Sequence, residues 1–185
     1  MVSLSATVTG CLGLGGGDDG VSTEGDDDSP FDTSPESLLP DAETLTDKTD
    51  REWREGDAEN GFGREILDNE SILRDKDAVA LFRPVPSGEE DVGLQVCAST
   101  VRLYDTVEEA RKAFDDSPFQ FGFGYESRSI AVEAIGGTAN NNDSQVIFRD
   151  ANAIGNVVFS NSQASVDEQE QTALDLAAAM HESWR

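Results

Sequence analysis

The sequence has few cations, few cysteines and no long apolar run. Its 185 residues include 13 Lys and Arg against 38 Asp and Glu, which gives a formal net charge of −25. An acidic surface of this kind repels phosphate backbones and anionic headgroups, so we expect neither nucleic-acid binding nor membrane binding through a basic patch. No run approaches the roughly 18 apolar residues that span a bilayer, so the sequence predicts no transmembrane helix.

Cysteine and histidine are equally scarce. Cys11 and Cys97 are too few for a disulfide framework, and the only histidine is His181. No spacing of Cys and His fits a zinc site. The acidic run at 26–28 lacks the alternating ligands, the Gly and the closing Glu of a calcium loop. We therefore expect no metal, no cofactor and no catalytic residue, and sequence motifs of hydrolases, kinases and nucleotide-binding proteins are also missing.

The acidity is nevertheless that of a folded chain. Hydrophobic residues make up 37% of the sequence and nine of them are Phe, whereas disordered acidic chains are poor in both. Three lysines stand against ten arginines. Many carboxylates with little lysine resemble the composition of haloarchaeal proteins, in which carboxylates hold water and hydrated cations in concentrated salt.

The chain divides into three parts by composition. Residues 1–11 are interpreted as the remnant of a signal sequence. Residues 12–40 are rich in Gly, Ser and Asp, contain three of the six prolines and have no basic residue, which predicts a disordered acidic linker. Residues 41–185 carry the periodic hydrophobic patterns of a single α+β domain.

The N-terminal part ends in Val8-Thr9-Gly10-Cys11, which resembles a lipobox. In a lipobox small residues precede a cysteine that receives a lipid and becomes the new N-terminus. A secretory signal also needs a charged region and an apolar core of roughly 7–15 residues, and neither precedes Cys11. We therefore expect the true start to lie upstream of Met1. The alternative is a cytosolic protein with a small-residue tail and an incidental cysteine.

Several helices and strands are predicted within the domain. One capping box, Thr106 with Glu109, opens a helix that should stop at 115–118, and a second, Ser165 with Glu168, opens the last helix. His181, late in that helix, is interpreted as a packed residue or a terminal cation. A further helix is predicted over 63–73, and strands over 78–82, 92–104, 130–135, 145–149 and 154–160. Short turns between strands predict an antiparallel sheet of about five strands, with helices packed mainly on one face.

The segment 118–125 has an unusual alternation of aromatic residues with Gln and Gly. It is interpreted either as a strand or loop that covers an edge of the core, or as a mobile flap that lines a pocket or partner surface. Arg128 and Arg149 are two of the few cations of the chain, and each either binds a ligand carboxylate or pairs with neighbouring acids. The candidate surface for a ligand or partner is therefore formed by Phe119, Phe121, Phe123, Tyr125, Arg128 and Arg149.

Two sequons fit glycosylation of an exported protein. They begin at Asn69 and at Asn142, and Asn142 is the better candidate because it lies in a predicted polar turn.

Taken together, the lipobox-like start, the acidic linker and the small α+β domain resemble haloarchaeal lipoproteins of uncharacterised function. Within the domain, Tyr104–Ala110, Ile135-Gly136, Val146–Arg149 and Asn156–Val158 resemble short motifs of exported PsbP-like domains. These resemblances imply a non-catalytic domain, anchored to the outer face of the cytoplasmic membrane through a lipid on Cys11, that binds a ligand or protein partner. The alternative is a cytosolic halophilic enzyme, or a subunit of one, that uses carboxylates and Arg149.

We predict that the fold is marginally stable at low salt. In dilute buffer the repulsion among the carboxylates is unscreened, whereas molar KCl shortens the screening length to about 3 Å. Thermal unfolding followed by circular dichroism should therefore give a much lower Tm in millimolar than in molar KCl. Equal Tm values in the two solutions would contradict the salt-adapted interpretation.

Overall fold

The computed structural model describes residues 21–49, 51–56, 76–85, 95–121, 125–139 and 143–185. Within these ranges the chain forms seven strands and three α-helices, preceded by a short 3-10 helix at Pro35–Leu38. The strands are β1 (Trp53–Glu55), β2 (Asp77–Pro84), β3 (Gln95–Leu103), β4 (Glu126–Arg128), β5 (Glu133–Ala139), β6 (Asp143–Asp150) and β7 (Ala153–Asn161). The helices are α1 (Ala42–Lys48), α2 (Val107–Phe121) and α3 (Val166–Glu182).

The strands form one antiparallel sheet in the order β1-β2-β3-β7-β6-β5-β4. β7 lies between β3 and β6, and α2 carries the chain from β3 to the far edge at β4. The α+β class and the antiparallel sheet are confirmed. The predicted number of about five strands was too low, because β1 and β4 have three residues each. Strands this short show no alternation of polar and apolar residues.

The two faces of the sheet are covered by different helices. Val146 and Phe148 point into the main core, which includes Leu45 of α1 and Leu176 of α3. Ile147, between them on β6, points the other way and packs with Ile154 and with Phe114 of α2 in a smaller cluster. Successive side chains of a strand alternate between faces. Hence α1 and α3 lie on one face, and α2 lies on the other.

The predicted start of α3 agrees with the structure, whereas the predicted end of α2 does not. Ser165 Oγ accepts the backbone N–H of Glu168, and the Glu168 carboxylate accepts the N–H of Ser165 at 2.8 Å, so the capping box of α3 is confirmed. α2 continues through Pro118 to Phe121, and the predicted stop at 115–118 was wrong. A proline removes one backbone hydrogen bond, but its own φ remains helical, so a helix is able to run past it.

Residues 21–40, here called the N-terminal strap, pack against the sheet and α3. The Phe31 ring meets the Trp184 ring edge-on at 5.4 Å, and Trp184 Nε1 donates to the Leu38 carbonyl at 2.7 Å. Pro35 and Leu38 are buried. The predicted disordered linker over 12–40 is therefore corrected from residue 21 onward, because a few apolar residues anchor an otherwise polar stretch. Residues 12–20 lie outside the described part.

The strands of the second half also differ in detail from the prediction. β5 begins at Glu133 rather than at 130, and Gly136 to Ala139 belong to it rather than to a polar turn. Several predicted features lie outside the described residues: the helix over 63–73, the start of the strand over 92–104, Cys11 and the sequon residues Asn69 and Asn142.

Among the residues that are described, no helix combines the length and the apolar character needed to cross a bilayer.

We predict that Gly155→Ala destabilises the fold. Gly155 lies opposite Phe148 across the β6–β7 pair, and a Cβ at this position would overlap the Phe148 ring. Overpacking of this kind typically costs about 1–3 kcal/mol. Urea unfolding in molar KCl should show a free energy of unfolding that is lower by this amount. As the control, Gly56→Ala should have a small effect, because its Cβ would lie 3.3 Å from the flexible Arg83 side chain and at an ordinary contact distance of 3.6 Å from the Leu81 backbone. Equal stability of Gly155→Ala and the wild type would contradict this packing.

Candidate functional site

Two adjacent charged residues at the end of β6 organise one end of the molecule. Arg149 shares the face of Ile147 and α2, whereas Asp150 shares the face of Phe148 and α3. Both side chains are buried, with 1% exposure for Arg149 and none for Asp150. Each is met by the strap, which reaches Arg149 through Asp27 and Asp150 through the backbone of Asp26.

Arg149 is saturated by neighbouring acceptors. Its Nε donates to Glu133 of β5, its Nη2 to Asp27 Oδ2 at 3.2 Å and its Nη1 to the Ala151 carbonyl at 2.9 Å. Ala151, in the β6–β7 turn, has a φ of 47°, a left-handed conformation that costs a non-glycine residue about 1–2 kcal/mol. The hydrogen bond from Arg149 lowers the pKa of Asp27 against the opposing effect of burial. Arg149 therefore pairs with nearby acids, one of the two roles that the sequence left open.

Asp150 gathers hydrogen-bond donors from the strap and the end of α3. It accepts the N–H of Asp26 at 2.8 Å, His181 Nε2 at 3.0 Å and Arg185 Nη2 at 2.9 Å. Burial alone would raise the pKa of Asp150, but the hydrogen bonds from His181 and Arg185 outweigh it and hold the pKa at about 2. The carboxylate is thus ionised, and His181 Nε2 must carry a hydrogen to bond it.

Thr23, His181 and Asp150 form a row with the connectivity of a catalytic triad. The Thr23 hydroxyl lies 2.7 Å from His181 Nδ1, and Asp150 orients the ring from the other side. Thr23 Oγ1 also accepts the N–H of Ala131 at 3.1 Å, and the imidazole is 1% exposed. The rings of Phe148 and Trp184 lie 5.6 and 5.8 Å from the imidazole. His181 and Asp150 are closed to solvent and Thr23 is only partly exposed, so we assign the row a structural role, which is to fasten the strap.

The candidate surface taken from the sequence is not one surface. Tyr125 is half-buried on the α2 face, where its hydroxyl donates to Gln145 at 2.9 Å and burial raises its pKa. Arg128 lies on the opposite face, 6% exposed, with Nη2 3.5 Å from Glu170 of α3. The sheet therefore separates Arg128 from Arg149. Phe123 and the side chains of Phe119 and Phe121 lie outside the described part.

A groove of about 700 Å³ lies between α2 and the adjoining ends of β2 and β3. We call it the α2 groove. On its strand wall, Arg102 Nε lies 3.1 Å from the carboxylate of Asp77, whose side chain is fully buried. Lys76 pairs with Asp105 at the rim. The remaining lining residues are Leu103, Tyr104, Glu109, Lys112, Ala113 and Asp116.

The helix wall of the groove carries charges of both signs. Glu109, Lys112 and Asp116 are exposed, and their spacing of three and four residues places them along one side of α2. Within the described residues, none of these three side chains has an ion-pair partner within 4 Å. Their charges therefore face solvent and are open to a ligand.

The groove and the strap lie at the same end of the sheet. Leu103, at the end of β3, pairs with Ala153 at the start of β7, next to the turn that follows Asp150. The turn residue Asn152 donates to the Tyr104 carbonyl at 2.9 Å and accepts the N–H of Phe31 at 2.7 Å. One asparagine thus links the floor of the groove to the strap.

Sequence reasoning missed this groove, because its residues come from 76–77, 102–105 and 109–116 and share no motif. One signal was available: two of the three lysines of the chain, Lys76 and Lys112, line it. Among the described residues, no group of three or more His, Cys, Asp or Glu side chains is arranged to hold a metal ion.

Comparison with known proteins adds no identification. No protein-family model matches the chain, and no curated protein is significantly similar to it.

We predict that Asp150→Asn destabilises the fold in a pH-dependent way. The pKa of Asp150 is lowered from 3.8 to about 2, so its ionised form stabilises the fold above about pH 4, and this contribution is lost as the pH falls through about 2. The difference in pKa corresponds to roughly 2 kcal/mol. Urea unfolding in molar KCl should give a lower free energy of unfolding for the variant than for the wild type. The difference should be largest near neutral pH and should decrease below about pH 4.

The control for this experiment is Asp167→Asn, which removes an exposed carboxylate in the first turn of α3. Its free energy of unfolding should differ little from that of the wild type, and this difference should not decrease comparably at low pH. A gap for Asp150→Asn that does not change with pH would contradict the role of the ionised carboxylate.

Proposed function

We propose that the chain is a non-catalytic binding domain, anchored by a lipid on Cys11 to the outer face of the cytoplasmic membrane of a salt-adapted cell, and that its ligand occupies the α2 groove. The observation that carries this proposal is the contrast between two sets of charges. Those at Arg149 and Asp150 are buried and bonded internally, whereas Lys112 and the acids beside it face an open groove.

The contrast argues against catalysis by the buried groups. A catalyst needs at least one nucleophile, acid or base that reaches its substrate. Arg149 and Asp150 are closed to solvent. Burial also raises the pKa of the Cys97 thiol to about 12. A thiol that remains protonated is a poor nucleophile.

The alternative, a cytosolic enzyme that uses carboxylates and Arg149, has less support. A guanidinium that is 1% exposed and bonded to Glu133, Asp27 and Ala151 has little capacity left for a substrate. Moving it would also break its ion pairs with Asp27 and Glu133, whose side chains are 30% and 33% exposed.

The anchor is supported by the lipobox-like sequence and by the position of the strap. Cys11 precedes Val21, the first described residue, by ten positions, a span of at most about 35 Å when fully extended. A lipid on Cys11 would therefore hold the strap, and the groove at the same end of the sheet, close to the membrane surface.

We predict that the protein in native cells fractionates with membranes and carries a lipid on Cys11. Mass spectrometry of the N-terminal peptide from the membrane fraction should show the lipid mass on this cysteine. The variant Cys11→Ser should lose the modification and leave the membrane fraction, while the matched variant Ser5→Ala should keep both. Unmodified protein that retains Met1 in the soluble fraction would contradict the anchor.

A further inference from the structure

Resting on the proposed function, we infer that the α2 groove binds a small zwitterion of the amino-acid type, with its carboxylate at Lys112, its ammonium at Glu109 or Asp116, and an apolar side chain against Tyr104. The inference specifies the chemical class of ligand, which the proposed function leaves open.

The balance of charge in the groove is the first argument. The chain as a whole has about three acids for every base, yet the groove is lined by three bases and four acids. Two of those acids are already engaged, Asp77 by Arg102 and Asp105 by Lys76. What remains open is one cation between two carboxylates on the helix wall. A zwitterion pairs with charges of both signs in this set, whereas a ligand with a single charge pairs with charges of only one sign.

The spacing along α2 is the second argument. With a rise of about 1.5 Å per residue, Lys112 stands about 4.5 Å along the helix axis from Glu109 and about 6 Å from Asp116. The ammonium and carboxylate of an amino acid are attached to one carbon atom, so they are able to reach a lysine and one of its neighbouring acids together. A dicarboxylate finds only one open cation on this wall, so its second carboxylate would lie beside Glu109 or Asp116.

Salt supplies the third argument. In molar salt the screening length is about 3 Å, so only charges in contact distinguish ligands, and abundant monovalent ions compete for each exposed charge. A zwitterion held at two points has an advantage over such ions, because binding of its first group raises the effective concentration of the second. A groove with open charges of both signs is suited to this form of recognition.

The lining between the charges is apolar. Leu103, Tyr104 and Ala113 line the groove together with Lys76 and Lys112, whose side chains have apolar stems. Long basic side chains bury their methylene groups along apolar surface while the charged ends remain in water. An aliphatic side chain on the ligand would therefore find contacts that an ion lacks.

The test uses L-leucine and two analogues that each keep one of its charges, 4-methylpentanoate and 3-methylbutylamine. Isothermal titration of the full chain in molar KCl should show saturable binding of leucine, with each analogue at least about tenfold weaker. Lys112→Gln should weaken leucine binding by about fivefold, the size of one exposed ion pair, and at least one of Glu109→Gln and Asp116→Asn should do the same. Arg54→Gln, which removes an exposed cation on edge strand β1, should leave the affinity unchanged.

The outcomes separate the two proposals. If an analogue binds as tightly as leucine and Lys112→Gln weakens it, the groove binds ligands but the inferred class is wrong. If none of the three compounds binds, or if Arg54→Gln weakens leucine as much as Lys112→Gln does, the inference falls. The lipid on Cys11 is measured independently, so its presence or absence decides the anchor whatever the titration shows.

Discussion

The structure depends on the placement of two neighbouring charges on opposite faces of one strand. Because Arg149 and Asp150 point to opposite sides of the sheet, a single crossing of its end by the strap satisfies both, with Asp27 on one side and the backbone of Asp26 on the other. The same charges draw in the acid of β5 and the last residues of α3. Because each buried charge needs partners that it finds only inside the fold, the strap, β5 and the chain end are held to the end of β6 together.

The acidity of the chain therefore serves two separate purposes. Among the described residues, some carboxylates, such as those of Asp77 and Asp150, pair with arginines inside the fold, whereas others are exposed to solvent. The α2 groove belongs to neither group. It exists because α2 rests through Phe114 on β6 and β7 and leaves the adjoining ends of β2 and β3 uncovered. Charges of both signs remain open there, in a chain that elsewhere has few cations.

The parts of the fold that sequence predicted are those with a local signal. The capping box and apolar stripe of α3 lie within one helix, and alternation within long strands predicted the antiparallel sheet. The strap was missed because its composition is polar and its partners are distant: Asp26 and Asp150 are 124 positions apart. The short edge strands were missed because three residues show no period. The groove had no motif at all, since its two walls come from segments that only the fold brings together.

The strap also determines how the molecule responds to tension. A pull on the N-terminal residues reaches Thr23 first, whose N–H bonds the Ser129 carbonyl at 3.0 Å, and then Asp26 and Asp27. These few bonds carry the load before any strand does, because the strap lies outside the strand ladders. Segments with few backbone bonds open at lower free energy than the sheet they cover. The strap is thus the first element to yield, and it does so while the seven strands remain paired.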